Sequence, residues 1–252
     1  MVITPEMYDS IYERREQRRE LAVLDGLSPR VADFGSSGFL RGRDAFVLAD
    51  LIQRYLPRRR SSPGRLLDLG CGLGRIGATI ARSLRMPLVG VDFSAVAVHE
   101  ASSLDGHFPM ARLEALPLKD ASVAAAVSHD ALYLAGSKAV AEAGRVLLSR
   151  GVLVFTLYTD DGGRARSLEC WYRLLAASRL EVRETRDDTR RWRTAMRRKH
   201  TLRWRQRAAV RRALGAAYQA EINVTKSMLG LNGQRPFIDG VRRYIIAAVR
   251  KG

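Results

Sequence analysis

The sequence predicts an α/β fold built on a doubly wound, mostly parallel sheet. Three observations carry that expectation. The apolar stretch Leu66-Leu67-Asp68-Leu69 runs into the turn Gly70-Cys71-Gly72-Leu73-Gly74, and a helical pattern follows with Ile76, Thr79, Ile80 and Leu84 on one face. A second short apolar stretch, Leu88 to Val91, also ends in an acid, Asp92. Strand-like and helix-like segments then alternate to residue 158.

The elements follow in order. Tyr8, Ile11 and Tyr12 precede a charged run from Glu13 to Glu20, the pattern of a helical cap. The loop Phe34-Gly35-Ser36-Ser37-Gly38-Phe39 leads to a helix over Ala45 to Leu56, and Pro57 to Gly64 is a basic, breaker-rich linker. Beyond Asp92, the segment Ala111 to Ser122 holds Leu116-Pro117, and Val123 to Val127 reads as a buried strand with the polar end Ser128-His129-Asp130. Glu142 to Phe155 reads as a helix, a tight turn at Leu148-Ser149-Arg150-Gly151 and another strand. Leu180 to Thr185 alternates as an edge strand does. A helical insertion follows from Asp188 to Gly233, and Val241 to Val249 supplies a last strand. The expected organisation is a cap and lid over 1–60, a core over 61–187, an insertion over 188–235 and a final strand in 236–252.

The glycine turn carries the chemistry. Glycines let a backbone turn tightly and lie against a ligand, and a helix starting there points free N–H groups at it. That is a nucleotide-type cofactor site with two overlapping registers. Gly72, Gly74 and Gly77 fit G-x-G-x-x-G, the dinucleotide pattern, with Asp92 downstream. Gly70, Gly72 and Gly74 led by Asp68 fit D-x-G-x-G-x-G. The second register suits a strand interrupted by Asp68, Gly70 and Cys71, because a carboxylate at a strand end needs a polar partner.

That register resembles motif I of the class I S-adenosylmethionine-dependent methyltransferases. The order of motifs across residues 35–158 is similar to their small-molecule branch, which includes ubiquinone-, sarcosine- and sugar-type enzymes. The resemblance implies a Rossmann-like sheet of seven strands with the last antiparallel. It implies S-adenosyl-L-methionine as cofactor and S-adenosyl-L-homocysteine as product. Asp68, Gly70, Gly72 and Gly74 are then expected around the methionine moiety, Asp92 on the ribose hydroxyls and Phe93 over the adenine. Leu113 (through its backbone N–H) and Glu114 are expected at the adenine edge, and Ser128 near the sulfonium. Two departures are visible. Arg112 stands where the family usually has Asp, and Leu148-Ser149-Arg150-Gly151 replaces a Lys-Pro-Gly-Gly turn, with the geometry expected to pass through Gly151.

Methyl transfer from a sulfonium is an in-line displacement, so the enzyme aligns a nucleophile and manages its proton. His129 at a strand end is the candidate general base, since histidine titrates near neutral pH. Asp130 either orients its imidazole or caps the following helix. Tyr8, Tyr12, Tyr133, Tyr158 and Trp171 are candidate lining for the acceptor. His99, His107 and His200 stand apart from any metal-ligand spacing, so no metal site is expected.

Composition bounds the rest. The chain has 252 residues and 46% hydrophobic content, enough for one core with an elaboration. No apolar run approaches the roughly 20 residues of a membrane span, and the N-terminus lacks the pattern of a signal peptide. Cys71 and Cys170 suggest no disulfide framework, so a cytoplasmic enzyme is expected, with no oligomer specified.

The formal charge is +17, and of 43 basic residues only Lys119, Lys138, Lys199, Lys226 and Lys251 are lysine, leaving 38 arginines. The densest run, Arg179 to Arg212 with Trp192 and Trp204, would suit single-stranded RNA. Its helical pattern, with Trp192, Met196, Lys199 and Leu202 on one face, favours solvated helices instead. A small-molecule acceptor is therefore the leading partner, and nucleic acid the alternative.

Overall fold

A computed structural model describes residues 4–26, 44–57, 64–163 and 165–252. The expected loop Phe34–Phe39 and most of the linker, 58–63, lie outside the described residues. Two helices open the chain, α1 (Pro5–Glu13) and α2 (Arg15–Leu24), followed by α3 (Asp44–Tyr55). The core then runs β1 (Leu66–Leu69), α4 (Arg75–Leu84), β2 (Leu88–Val91), α5 (Ala95–Ala101), β3 (Val123–Ser128), α6 (Leu132–Val146) and β4 (Leu147–Asp160). Next come α7 (Leu168–Ala177), β5 (Leu180–Asp187), and the insertion of α8 (Thr189–Arg205), α9 (Arg207–Leu214) and α10 (Tyr218–Leu229). The short α11 (Phe237–Gly240) leads into β6 (Val241–Arg250).

The sheet order is β2-β1-β3-β4-β6-β5. β1 pairs in parallel with both β2 and β3, and β3 with β4, while β6 runs antiparallel to β4 and β5. This is a Rossmann-like, mostly parallel sheet with the antiparallel last strand that was expected. Among the described residues it has six strands, not seven. Beside β2, the segment 107–110 makes two isolated parallel bridges, Val89 with His107 and Asp92 with Met110. Pro109 sits between those bridges and has no N–H to continue a ladder.

The strand order reverses at β1, where successive connections leave in opposite directions and open a crevice beyond the strand ends. Two apolar layers hold the sheet. Leu48, Leu51 and Ile52 of α3 and Ile76 and Ile80 of α4 pack on one face. Val140, Ala143, Trp171 and Leu175 of α6 and α7 pack on the other. All four residues of β1 and of β2 are buried, as parallel strands covered on both faces require. Each large side chain so buried stabilises by about 1.5–3 kcal/mol.

The N-terminal cap and the insertion form one helical layer. Leu21 of α2 packs with Val210 and Leu214 of α9. Below them Asp25 receives both arms of the Arg203 guanidinium, which also reaches Glu221 on α10.

Candidate active site

The glycine loop shapes one wall of the crevice. Gly70, Gly72 and Gly74 have φ of +72°, +51° and +72°, the left-handed region that disfavours any side chain. Gly74 at the N-cap of α4 offers no side chain to the first turn, and the Gly77 N–H of that turn is turned to Asp68. Gly77 in the first turn of α4 lies directly against the Asp68 carboxylate, where a Cβ would collide with it.

Asp68 is 2% exposed, and its Oδ2 has no hydrogen-bond partner among the described residues. Burial, with Asp92 nearby, pushes its carboxyl up to about 7 against the opposing pull of the Gly77 N–H. A buried acid in that state lacks a cation, and the ammonium of a methionine moiety fits the need. Asp92 accepts from the N–H of Gly72 at 2.8 Å and of Ser94 at 3.0 Å, which ties the loop to the end of β2.

Helix α1 lies across this crevice. Tyr8 meets Phe93 edge-on at 5.3 Å. Asp9 accepts from the Ser94 hydroxyl and from the Val96 N–H, the latter at 3.3 Å. The Tyr12 hydroxyl, pushed up by burial and by Asp92, lies 2.7 Å from where a Cβ on Gly72 would stand. Both expected tyrosines of the cap therefore reach the cofactor wall.

The Ala111–Ser122 segment is fastened beside β2. The Ala111 N–H donates to the Asp92 carbonyl at 2.9 Å. Leu113 is buried, and Glu114 is 27% exposed with Arg112 Nε 3.6 Å away. Ser128 is fully buried, and its hydroxyl is occupied inside the fold, donating to the Leu69 carbonyl at 2.9 Å and accepting from the Leu132 N–H at 3.0 Å.

His129 follows Ser128 with its side chain 3% exposed. Its Nε2 has no hydrogen-bond partner among the described residues, and its Nδ1 is 3.7 Å from Asp130 Oδ2. Burial lowers its pKa from the usual 6.5; Asp130 opposes that, Arg243 adds to it and Asp44 opposes it. Burial thus favours the neutral imidazole, and Asp130 beside it favours the protonated one.

Asp130 does not cap the next helix. Ala131 holds the cap position, no side chain bonds there, and Ser128 takes the Leu132 N–H. Asp130 instead has φ of +58°, a conformation that turns its carboxylate inward. Its Oδ1 accepts from the Thr156 hydroxyl at 3.1 Å and pairs with Arg243 Nη1 at 2.7 Å. Burial raises its pKa, but Arg243 and His129 outweigh that and bring it to about 2.

The aromatic lining divides. Tyr133 and Tyr158 stand edge to face at 4.9 Å beside this cluster, and Tyr158 is paired with Arg243 in the β4–β6 ladder. Burial first and Asp130 second push the Tyr133 hydroxyl up. Trp171 is 1% exposed and packs on Phe155 at 5.6 Å, so it belongs to the core and not to the crevice.

Sequence reasoning missed Thr156, Asp44, Arg191 and Arg243. One signal existed for Arg243: it shares a strand face with Val241, Ile245 and Ala247, all buried. Among the described residues no group of His, Cys, Asp and Glu could hold a metal ion.

Several arginines of the basic run are engaged within the fold. Arg191 pairs with Asp44 at 2.6 Å and with Asp188 at 2.7 Å. Arg193 donates to the Val241 and Asp239 carbonyls, Arg197 pairs with Asp239, and Arg203 is buried against Asp25. Arg203 departs from the expectation that the arginines of α8 are solvated. These side chains fasten α8 to its neighbours in the fold.

Comparison with known proteins agrees with this geometry. Residues 67–155 match a family model described as "Methyltransferase domain". No curated protein sequence matches the chain. Similar solved structures include the [4+2]-cyclase SpnF, with TM-score 0.74, 18% identity, and coverage of 99% of this chain and 98% of that one. A phosphoethanolamine N-methyltransferase 2 of Haemonchus contortus in complex with S-adenosyl-L-methionine gives 0.66 at 16% identity, over 82% of this chain and 53% of that one. A geranyl diphosphate C-methyltransferase from Streptomyces coelicolor with S-adenosyl-L-homocysteine gives 0.60 at 17%, over 81% and 79%. At such identities the likeness is one of fold.

Proposed function

We propose that the chain is a class I S-adenosylmethionine-dependent methyltransferase that methylates a nitrogen or oxygen of a small-molecule acceptor with His129 as the base; the match of residues 67–155 to a methyltransferase domain supports the reading. The observation that carries this reading is the buried imidazole at the end of β3. Burial favours its neutral form, and its Nε2 has no partner among the described residues. An acceptor N–H or O–H placed there supplies the missing hydrogen bond and then gives up its proton.

The cofactor, when bound, supplies an electrophilic methyl group on a sulfonium. Asp68, the glycine loop and Asp92 would hold it, with Leu113 and Glu114 toward its adenine. His129 receives the proton displaced as the new N–C or O–C bond forms, and Asp130 stabilises the imidazolium. Tyr133 and Tyr158 face the acceptor, and α1, α2 and the α8–α10 insertion cover it. A role in natural-product biosynthesis in the cytoplasm follows by analogy with free-standing enzymes of this fold. No described helix is long and apolar enough to cross a membrane.

The test follows the label from methyl-labelled S-adenosylmethionine in separate incubations with a small-metabolite extract and with total RNA. Label in the metabolite fraction, at a nitrogen or oxygen by mass analysis, supports the proposal. Label in RNA, or on carbon, overturns it.

A further inference from the structure

The cluster behind His129 contains more than a base needs. Four elements meet at it: the end of β3 supplies His129 and Asp130, β4 supplies Thr156, β6 supplies Arg243, and the start of α3 supplies Asp44. Asp44 is in turn held by Arg191 of α8 at 2.6 Å, and Tyr133 and Tyr158 flank the carboxylate. Arg243 is 3% exposed on a strand face shared with the buried Val241, Ile245 and Ala247, a costly place for a cation without a specific partner. Its backbone also anchors the insertion, for its carbonyl accepts from the Asp188 N–H at 2.9 Å and its N–H donates to the Thr189 hydroxyl at 3.0 Å.

Asp130 is held from one side only. Oδ1 takes both Thr156 and Arg243, whereas Oδ2 has no hydrogen-bond partner among the described residues and faces His129 Nδ1 at 3.7 Å. Which imidazole nitrogen carries the proton is set by what the other nitrogen faces. A carboxylate facing Nδ1 favours the proton there and leaves Nε2 with a free lone pair.

We propose that Arg243 is a positioning residue: by gripping Oδ1 of Asp130 it aims Oδ2 at His129 Nδ1 and fixes the imidazole as the Nδ1–H tautomer. The acceptor proton then moves to Nε2, and the resulting imidazolium keeps its Nδ1–H against Asp130. The 3.7 Å separation shortens to a hydrogen bond as that charge develops. Arg243 also keeps Asp130 ionised, so the proton stays on the imidazole and the carboxylate remains an orienting group. The inference rests on His129 being the base.

The test needs no acceptor. The imidazole nitrogen resonances of the full chain labelled with 15N-histidine report the tautomer of each of its 4 histidines. His129→Gln assigns the His129 signals by their disappearance. The expected result is a proton on Nδ1 in the unaltered protein, retained in Arg243→Lys and shifted toward Nε2–H in Arg243→Met. Should Arg243→Met fail to fold, Thr156→Val loosens the same Oδ1 without burying an unpaired charge and is expected to shift the tautomer in the same direction. Asp130→Asn, which keeps the shape of the carboxylate, is expected to lose the preference altogether. An Nε2–H tautomer in the unaltered protein, or a tautomer indifferent to Arg243→Met and Thr156→Val, would overturn the inference while leaving methyl transfer standing. A failure of the label-transfer experiment would leave the tautomer result standing.

Discussion

The Tyr12 hydroxyl lies over Gly72, 2.7 Å from the place a Cβ would occupy. Helix α1 thereby touches the middle glycine of the Gly70–Gly74 loop, at a residue whose φ is +51°. Gly72→Ala meets both a steric block and a backbone penalty of about 1–2 kcal/mol. Calorimetry with S-adenosylhomocysteine should show binding weakened by about tenfold or more. Gly72→Ala combined with Tyr12→Phe should recover only part of it, because the backbone penalty remains.

Asp68 makes cofactor binding depend on pH. Its carboxyl is raised to about 7 in the folded protein, above the ordinary carboxylate value of about 3.9. The sign follows from linkage. This acid contributes stability that is fully present below its unfolded pKa and is lost as pH rises through about 7. A cationic ammonium needs the ionised form, so affinity should fall by up to about tenfold per unit as pH drops below 7. Binding isotherms between pH 5.5 and 8.5 check this, and Asp68→Asn should weaken binding and flatten the dependence.

Arg203 holds the cap to the insertion from a buried position, with Asp25 on α2's trailing end and Glu221 on α10. Removing Arg203 leaves buried Asp25 with the looser contact to Lys199 at 4.0 Å, at a cost toward the lower end of the about 3–5 kcal/mol of breaking a buried pair. Thermal unfolding of Arg203→Met should show a Tm lowered by several degrees. Arg203→Met with Asp25→Asn should lose less than the sum of the two single changes, since the buried carboxylate is gone.

Much of the fold was legible because its signals are local. Asp68 and the three glycines specify a strand, a tight turn and an uncapped helix start within about ten residues. Asp92 closes the second strand in the same way, and the Leu180–Thr185 alternation marks the sheet edge that β5 occupies. The described residues form six strands, and between the bridges at His107 and Met110 stands Pro109, which has no N–H to join them into a ladder.

The catalytic surroundings were less legible because they are assembled at long range. Asp130 reads as a helix cap in its local sequence, yet Arg243, more than a hundred residues away, claims its carboxylate. Trp171 reads as pocket lining by its position after β4, yet α7 turns it into the core against Phe155. Arg203 carries the composition of a solvated helix, and only the approach of α2 buries it.

Helix α1 should report cofactor binding through its own contacts. Asp9 holds the start of α5, and Tyr8 leans on Phe93. Asp9→Ala with Tyr8→Ala should speed amide exchange across Pro5–Glu13 and shorten cofactor residence, while exchange in β1 and β3 stays slow. Hydrogen exchange with and without S-adenosylhomocysteine measures both effects.

If His129 takes the acceptor's proton, His129→Gln should abolish most of the methyl transfer. The substitution keeps a polar side chain of similar reach but removes the base. Transfer of labelled methyl into the small-metabolite fraction should fall by about 10²- to 10⁴-fold, the usual share of a general base. S-adenosylhomocysteine binding measured by calorimetry on the same samples should be unchanged. Undiminished transfer in the variant would contradict the account, since a nitrogen or oxygen nucleophile would then be losing its proton elsewhere.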